Sequence, residues 1–294
     1  MEFAPSKSES DLIIMYPIHI RTDKPHPNRD EIVLDIWAQI NNPLTIDTLL
    51  GINFELVYQF HKSIKADLFK QIPDNSDLID IGVGRGADLK HQRRFNKILG
   101  IEPNIDFSQE CQRRLNSDKI WKNKYKLLEC GGEDFEQIIS NARSHFEWDK
   151  YSARRPLYIT SMLSLSFFWK DDDMLEALVK TLTNIKKEYG DGKIYFIFFT
   201  IEGNATMELI KTRGDSFQLG PITFEFTPPN HLNIDISTSI KIRNQSEYLV
   251  YLDQLIQLAN LKIISLDKAV GEKLLSPDEL TFTNLYVYGK ALIN

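Results

Sequence analysis

The chain has 294 residues, 42% hydrophobic and 26% charged, with a net charge of −6 at pH 7. That is enough apolar material for one large domain, or one domain with an appendage. The mild acidity excludes a generally basic nucleic-acid coat but leaves room for a local basic groove.

Cys111 and Cys130 are too few for a disulfide framework or a zinc site, which points to a reducing compartment and a cytoplasmic location. No apolar run reaches the ~18 residues that a membrane helix needs. The longest, "LYITSMLSLSFFW" (157–169), suits a buried strand, and no secretory signal is read at the start.

In chain order, "MEFAPSKSESD" is polar and shapeless, and prolines break residues 12–53 into short pieces, so residues 1–53 read as a lead-in. A domain is expected over 54–294. "FELVYQFHKSIKADLFK" (54–70) puts Leu56, Phe60, Ile64 and Leu68 at helical spacing. Strands are predicted at 77–82, 97–103, 124–130, 155–163 and 192–200. Helices are predicted from "GADLKHQRRFN", over 106–116 and over 171–190, the last with an acidic start and a basic end that suit its macrodipole. This alternation predicts a doubly wound, mostly parallel sheet with its functional loops at the strand C-termini. Residues 215–245 alternate and contain prolines, and read as an inserted antiparallel flap. A helix over 246–260 and two closing strands complete the domain.

The most informative stretch is "DLIDIGVGRGADLK" (77–90). A strand that feeds G-x-G-x-G brings backbone close to a ligand, because glycine has no Cβ and tolerates positive φ. A dinucleotide fold, a methyltransferase and a plain tight turn all use such a loop. The third glycine of G-x-G-x-x-G is absent, and the acid ending the second strand, Glu102, follows Gly86 by only 16 residues. An acid there suits ribose hydroxyls in either nucleotide class.

"LIDIGVGRGADL", "ILGIEPN" and "DFSQECQRRLN" resemble the S-adenosylmethionine loop, second strand and following helix of mRNA cap guanine-N7 methyltransferases. "FHKSIKADLF", "ITSMLSLSFFW", "SEYLVYLDQLIQLA" and "NLYVYGKA" are similar to further segments of that family, in the same order over roughly residues 54–292. The glycine loop is common to many methyltransferases; its combination with Glu247, Tyr248 and Tyr286 is more specific. "RTDKPHPNRDEIVLDIW…NNPLT" looks like the linker that precedes the methyltransferase part of large-DNA-virus capping enzymes.

The resemblance implies a Rossmann-like class I S-adenosylmethionine-dependent methyltransferase with a seven-stranded, mostly parallel sheet, an antiparallel closing strand and no metal. It also implies partners: capped RNA, triphosphatase and guanylyltransferase domains upstream in the same polypeptide, and a stimulatory subunit. If the chain is viral, its place is the host cytoplasm or the virion.

Roles follow residue by residue from the same resemblance. Gly82, Gly84 and Gly86 approach the cofactor's methionine part, Asp80 and Asp88 its ammonium, and Lys65 its carboxylate. Glu102 takes the ribose hydroxyls. Glu133 or Asp134 meets the adenine edge, and either could instead cap the following helix. Ser164 lines the reacting centre. Glu247 accepts from guanine N1–H and the N2 amine, with Tyr248, Ser166, Phe167 and Tyr286 around the base. Arg85, Lys90, Arg93 and Arg94 form a basic group for the cap phosphates, or a solvated helix face.

The sequence departs from the family at Ser166-Phe167, where His-Tyr is usual, at His61-Lys62, where paired asparagines are usual, and at Gly203-Asn204. A cap-contacting histidine is therefore lost or replaced. Because N7 carries a lone pair and no proton, no catalytic acid or base is expected. Two rivals stay open: a methyltransferase with another substrate, for which Glu247 would be dispensable, and a non-catalytic cap-binding or stimulatory module, which would not bind the cofactor.

Overall fold

A computed structural model describes residues 2–7, 13–19, 55–148, 155–237, 242–271 and 275–294. The chain divides into two compact units, Met1–Ile46 and Asp47–Asn294. In the first, β1 (Glu2–Lys7) pairs antiparallel with β2 (Ile13–His19). The start of the chain is therefore not shapeless: it pairs with the apolar run "IIMYPIH". The stretch likened to a capping-enzyme linker lies outside the described residues.

In the second unit, five parallel strands follow in sequence: β3 (Asp77–Ile81), β4 (Ile98–Ile101), β5 (Tyr125–Leu128), β6 (Leu157–Met162) and β7 (Ile194–Ile201). β3, β4 and β6 are buried along their whole length, as strands covered on both faces must be. β12 (Leu261–Lys268) and β13 (Tyr286–Ile293) close the sheet, in the order β12-β13-β7-β6-β3-β4-β5. β13 runs antiparallel to both its neighbours. The expected seven-stranded sheet with one antiparallel closing strand is present.

The helices are α1 (Glu55–Lys70), α2 (Leu89–Gln92), α3 (Ile105–Asn116), α4 (Phe135–His145), α5 (Asp172–Tyr189), α6 (Gly203–Arg213), α7 (Leu252–Leu258) and α8 (Pro277–Thr283). None of the described helices is long and apolar enough to cross a membrane. Capping fixes several starts: Asn104, Asp134 and Asp171 accept from the backbone N–H three residues on. Ser276 and Glu279 form a reciprocal capping box on α8.

Two departures bear on the site. The helix expected over 246–260 is only α7. Its first three residues instead end β11 (Ile242–Tyr248), where Ser246, Glu247 and Tyr248 pair with Asn233, Leu232 and His231. The flap is thus a four-stranded antiparallel sheet of β8 (Ser216–Leu219), β9 (Ile222–Thr227), β10 (His231–Ser237) and β11. Its ladder overrides a helical pattern of apolar residues. The buried stripe of α1 is Val57, His61, Ile64 and Leu68: Ile64 and Leu68 fall where predicted, while Val57 and His61 take the places expected for Leu56 and Phe60. A histidine thereby occupies a core position.

Candidate active site

The turn from β3 into α2 is a run of left-handed glycines: Gly82 at φ 78°, Gly84 at 55° and Gly86 at 76°. Gly82 and Val83 donate to the Ile101 carbonyl at the end of β4, which pins the loop to the next strand. A Cβ on Gly82 would lie 2.3 Å from the Ser164 Cβ, so the loop closes against the segment after β6. A Cβ on Gly86 would crowd Leu89 and Cys111. A Cβ on Gly84 would meet nothing within 4 Å; this backbone borders open space.

That space is a cavity of about 470 Å³. Gly82, Gly84, Glu102, Glu133 and Ser164 line it, with Pro103, Phe107, Phe168 and Met174 as apolar walls. Glu102 is buried, and its two oxygens accept from the backbone N–H groups of Gly84 (2.8 Å) and Asn104 (2.9 Å). A carboxylate has about four lone-pair sites, so acceptor capacity remains on both oxygens. Ser164 Oγ donates to the Ile81 carbonyl (2.6 Å) and pairs with Ser161 Oγ (2.8 Å). Phe167, half exposed at 50%, also borders this cavity.

A second cavity, about 220 Å³, is lined by Tyr58, His61, Lys65, Glu247, Phe282 and Tyr286, among others. Leu163 lines both cavities, so a single side chain is common to their walls. Leu163 has φ 65°, a left-handed backbone that costs a branched residue strain, and its N–H donates to the Phe199 carbonyl on β7 (2.7 Å).

Glu247 reaches the second cavity from β11, and Ser166 Oγ donates to its carboxylate. Burial pushes its pKa up to about 7, partly offset by that hydrogen bond. Tyr286, at the start of β13, is buried; its pKa is raised by burial and by the charges of Glu247 and Tyr58. His61 packs among Phe199, Phe282 and Tyr286, with ring centroids 5.0, 6.2 and 4.8 Å away. Burial and then the Lys65 charge lower its pKa to about 3, so it is neutral.

The other singled-out residues fall into distinct places. Lys65 and Asp88, expected on opposite ends of one zwitterion, form an ion pair with each other at 2.7 Å. Asp80 lies outside the lining of either cavity: it accepts from Thr160 Oγ1 (2.6 Å) and Gln92 Nε2 (2.7 Å), joining β3, β6 and α2. Burial raises its pKa to about 6. Asp134 caps α4. Tyr248, next to Glu247 on a strand, falls on the opposite face and packs against His231 (5.1 Å).

The basic group separates too. Arg94 donates to the Phe69 and Ile72 carbonyls and pairs with Asp74, tying down the end of α1. Arg93 pairs with Asp118 at 2.7 Å. Arg85 is exposed, with its guanidinium 4.7 Å from the Phe107 ring at the first cavity, and Lys90 is exposed on α2. Among the described residues no cluster of metal-ligating side chains occurs. His61 was missed as a site residue; the signal was its position on the Val57–Ile64–Leu68 face.

No family model matches the chain. Over 187 residues it is 24% identical to a protein named cytoplasmic aspartate–tRNA ligase 2 of Dictyostelium discoideum. The match takes in 59% of this chain and spans about a third of that protein (33%). Among solved structures it resembles a protein described as an S-adenosylmethionine-dependent methyltransferase of Listeria monocytogenes, with a TM-score of 0.50. That likeness has 17% identity and covers 80% of this chain and 98% of the other. The CcbJ methyltransferase of Streptomyces caelestis is similar at a TM-score of 0.50 and 12% identity, over 79% and 88% of the two chains. The chain has the fold of S-adenosylmethionine-dependent methyltransferases.

Proposed function

We propose that the chain transfers the methyl group of S-adenosylmethionine to N7 of the guanine cap of RNA. The observation that carries this reading is the pair of cavities meeting at Leu163. One is built on the glycine turn and Glu102; the other holds a buried carboxylate among aromatic rings.

The first cavity fits the cofactor. Gly84 borders open space with no Cβ to fill it, and Glu102 retains acceptor capacity for two ribose hydroxyls. Glu133 and the apolar walls suit a purine. Lys65 lines the second cavity and Asp88 lines neither, so reaching the cofactor's carboxylate and ammonium would require them to give up their mutual pair. The bound cofactor supplies an electrophilic methyl group.

In the second cavity Glu247 can accept from guanine N1–H and N2–H together, a pattern adenine does not offer. Ser166 fixes its orientation. A carboxylate also favours the positive charge that builds on the ring as N7 is methylated, so its effect grows toward the transition state. N7 has no proton to lose, so the protein's tasks are alignment and electrostatics. Exposed Arg85, beside Phe107 at the first cavity, is a cation available to a triphosphate, as are Lys170 and Lys62, which line the first and second cavities; Lys90 is exposed but lines neither. The unmethylated cap must come from triphosphatase and guanylyltransferase steps, for which the expected upstream domains are the source.

The test is incubation with labelled S-adenosylmethionine and unmethylated GpppRNA, followed by identification of the labelled nucleoside. 7-Methylguanosine is the expected product. Label on another atom, or none despite cofactor binding, refutes the reading.

A further inference from the structure

β12 is the outer strand of the seven-stranded sheet, and no described strand pairs with its free side. An eight-residue edge of unpaired N–H and C=O groups is a template for another strand unless something blunts it. Here the edge is also apolar. Eight large apolar side chains are exposed among the described residues, and four of them, Leu258, Ile264, Leu266 and Val270, lie on β12 or within three residues of it. Such a concentration marks an interaction site rather than scatter.

We infer that β12 pairs antiparallel with β12 of a second copy of this chain, across a two-fold axis between Ile264 and Ser265. The inference does not depend on which acceptor is methylated.

A two-fold pair of identical strands sets one residue opposite another and repeats that contact, with the copies exchanged, beyond the axis. Opposed residues must share a face of the sheet. In an unbroken strand, residues five apart point to opposite faces. β12 is not unbroken: its pairing with β13 shifts between Ile263 and Ser265, which leaves Ile264 as an extra residue. Lys262 opposes Leu292 and Asp267 opposes Tyr288, four apart on β13, so Lys262 and Asp267 lie on one face. Ile263 and Leu266, opposite Ala291 and Gly289, lie on the other. With the axis between Ile264 and Ser265, Lys262 of each copy meets Asp267 of the other, and Ile263 meets Leu266. Lys268 meets Leu261, so no like charges are opposed. Both Lys262 and Asp267 are exposed, and neither has an ion-pair partner among the described residues. A bulge commonly spoils an edge for pairing; this one puts a cation and an anion on the same face. β12 runs parallel to β3–β7, so the two-fold reverses the second sheet and the two glycine turns face opposite ways.

The test measures the mass of the chain in solution by sedimentation velocity, from about 1 to about 300 μM, because a single eight-residue strand is a small interface and implies roughly micromolar affinity. Wild type should pass from monomer to dimer in that range. Lys262→Asp sets two aspartates against each other at both ends of the interface, and Asp267→Lys sets two lysines. Opposed like charges destabilise a strand pair, so each change should weaken the dimer by at least about tenfold. The double exchange, Lys262→Asp with Asp267→Lys, restores both pairs with their signs reversed and should recover an affinity within about threefold of wild type. Both side chains are exposed, so the fold should hold; an unchanged melting temperature at the lowest concentration checks this. A double exchange no tighter than either single change, or a dimer indifferent to all three variants, overturns the inference. So does a wild type that stays monomeric throughout: slow hydrogen exchange of the β12 amides would then assign the edge to another segment of this chain, and fast exchange would leave it free for a different protein.

Discussion

Replacing Glu247 with glutamine should stabilise the protein while disabling it. Burial raises the Glu247 pKa from 4.5 to about 7. The native state therefore holds a proton on this group between pH 4.5 and 7 that the unfolded state has released. Stability falls as pH rises through that window. The cost is absent below pH 4.5 and complete above pH 7. At about 1.4 kcal/mol for each tenfold in proton affinity, it amounts to roughly 3 kcal/mol. Glutamine keeps the shape and can still accept from Ser166, but has nothing to ionise.

Urea unfolding of both proteins at pH 5, 6, 7 and 8 should show the Glu247→Gln advantage growing from under ~1 kcal/mol at pH 5 to roughly 3 kcal/mol at pH 8. Asp80 and His61 also titrate abnormally, but they are common to both proteins and cancel in the difference. Turnover on capped RNA should collapse in the variant, with S-adenosylmethionine affinity nearly intact. Wild-type kcat/KM should rise through about pH 7 as Glu247 ionises, and the variant should lack that rise. A stability difference that does not grow with pH, or a variant weaker at pH 8, would refute the claim that the carboxylate is held in an apolar site.

Glycine substitutions should part stability from binding. Gly82→Ala drives its Cβ into Ser164 and should lower both, whereas Gly84→Ala meets no neighbour, should lose only ~1–2 kcal/mol of backbone strain, and should weaken S-adenosylmethionine binding in titration calorimetry. Removing the charge of Arg85 or Lys90 should each reduce the salt slope of RNA binding by ~1, while Arg94→Ala should leave the slope alone and lower the melting temperature, because its guanidinium holds the end of α1. Cys111 and Cys130 are buried with thiols pushed up to about 12, so a thiol reagent should label the native protein slowly at pH 8 and rapidly in urea.

The glycine-turn cavity, where we propose that the cofactor binds, was legible because its logic is local. A buried strand, a glycine turn and an acid ending the next strand lie within 26 residues, from Asp77 to Glu102, and each signal is set by its own backbone. The second cavity depends on pairings that periodicity does not encode. Tyr248 fell on the wrong face because "SEYLVYLDQLIQLAN" carries helical spacing, yet Ser246–Tyr248 find a ladder partner in β10. Asp80, Asp88, Lys65 and Arg94 were recognisable as charges near a ligand edge. Their actual partners, Thr160, Gln92, Asp74 and one another, come from distant segments. His61 was hidden by a one-residue error in the buried stripe of α1.

The two cavities also differ in how much chain must close to make them. The first is lined between Ile81 and Met174, the second between Val57 and Tyr286. Closing entropy rises with the span enclosed, so the second cavity is the more non-local object. It needs the first helix of the domain, the flap and the antiparallel β13 wedged between β7 and β12. During synthesis the β3–β6 segment emerges well before β13, and a cofactor-sized hollow can precede the acceptor hollow by over a hundred residues. The partition at Leu163 then divides an early-assembling half of the molecule from a late one, and lesions in the last strand should be felt at the acceptor before they reach the glycine turn.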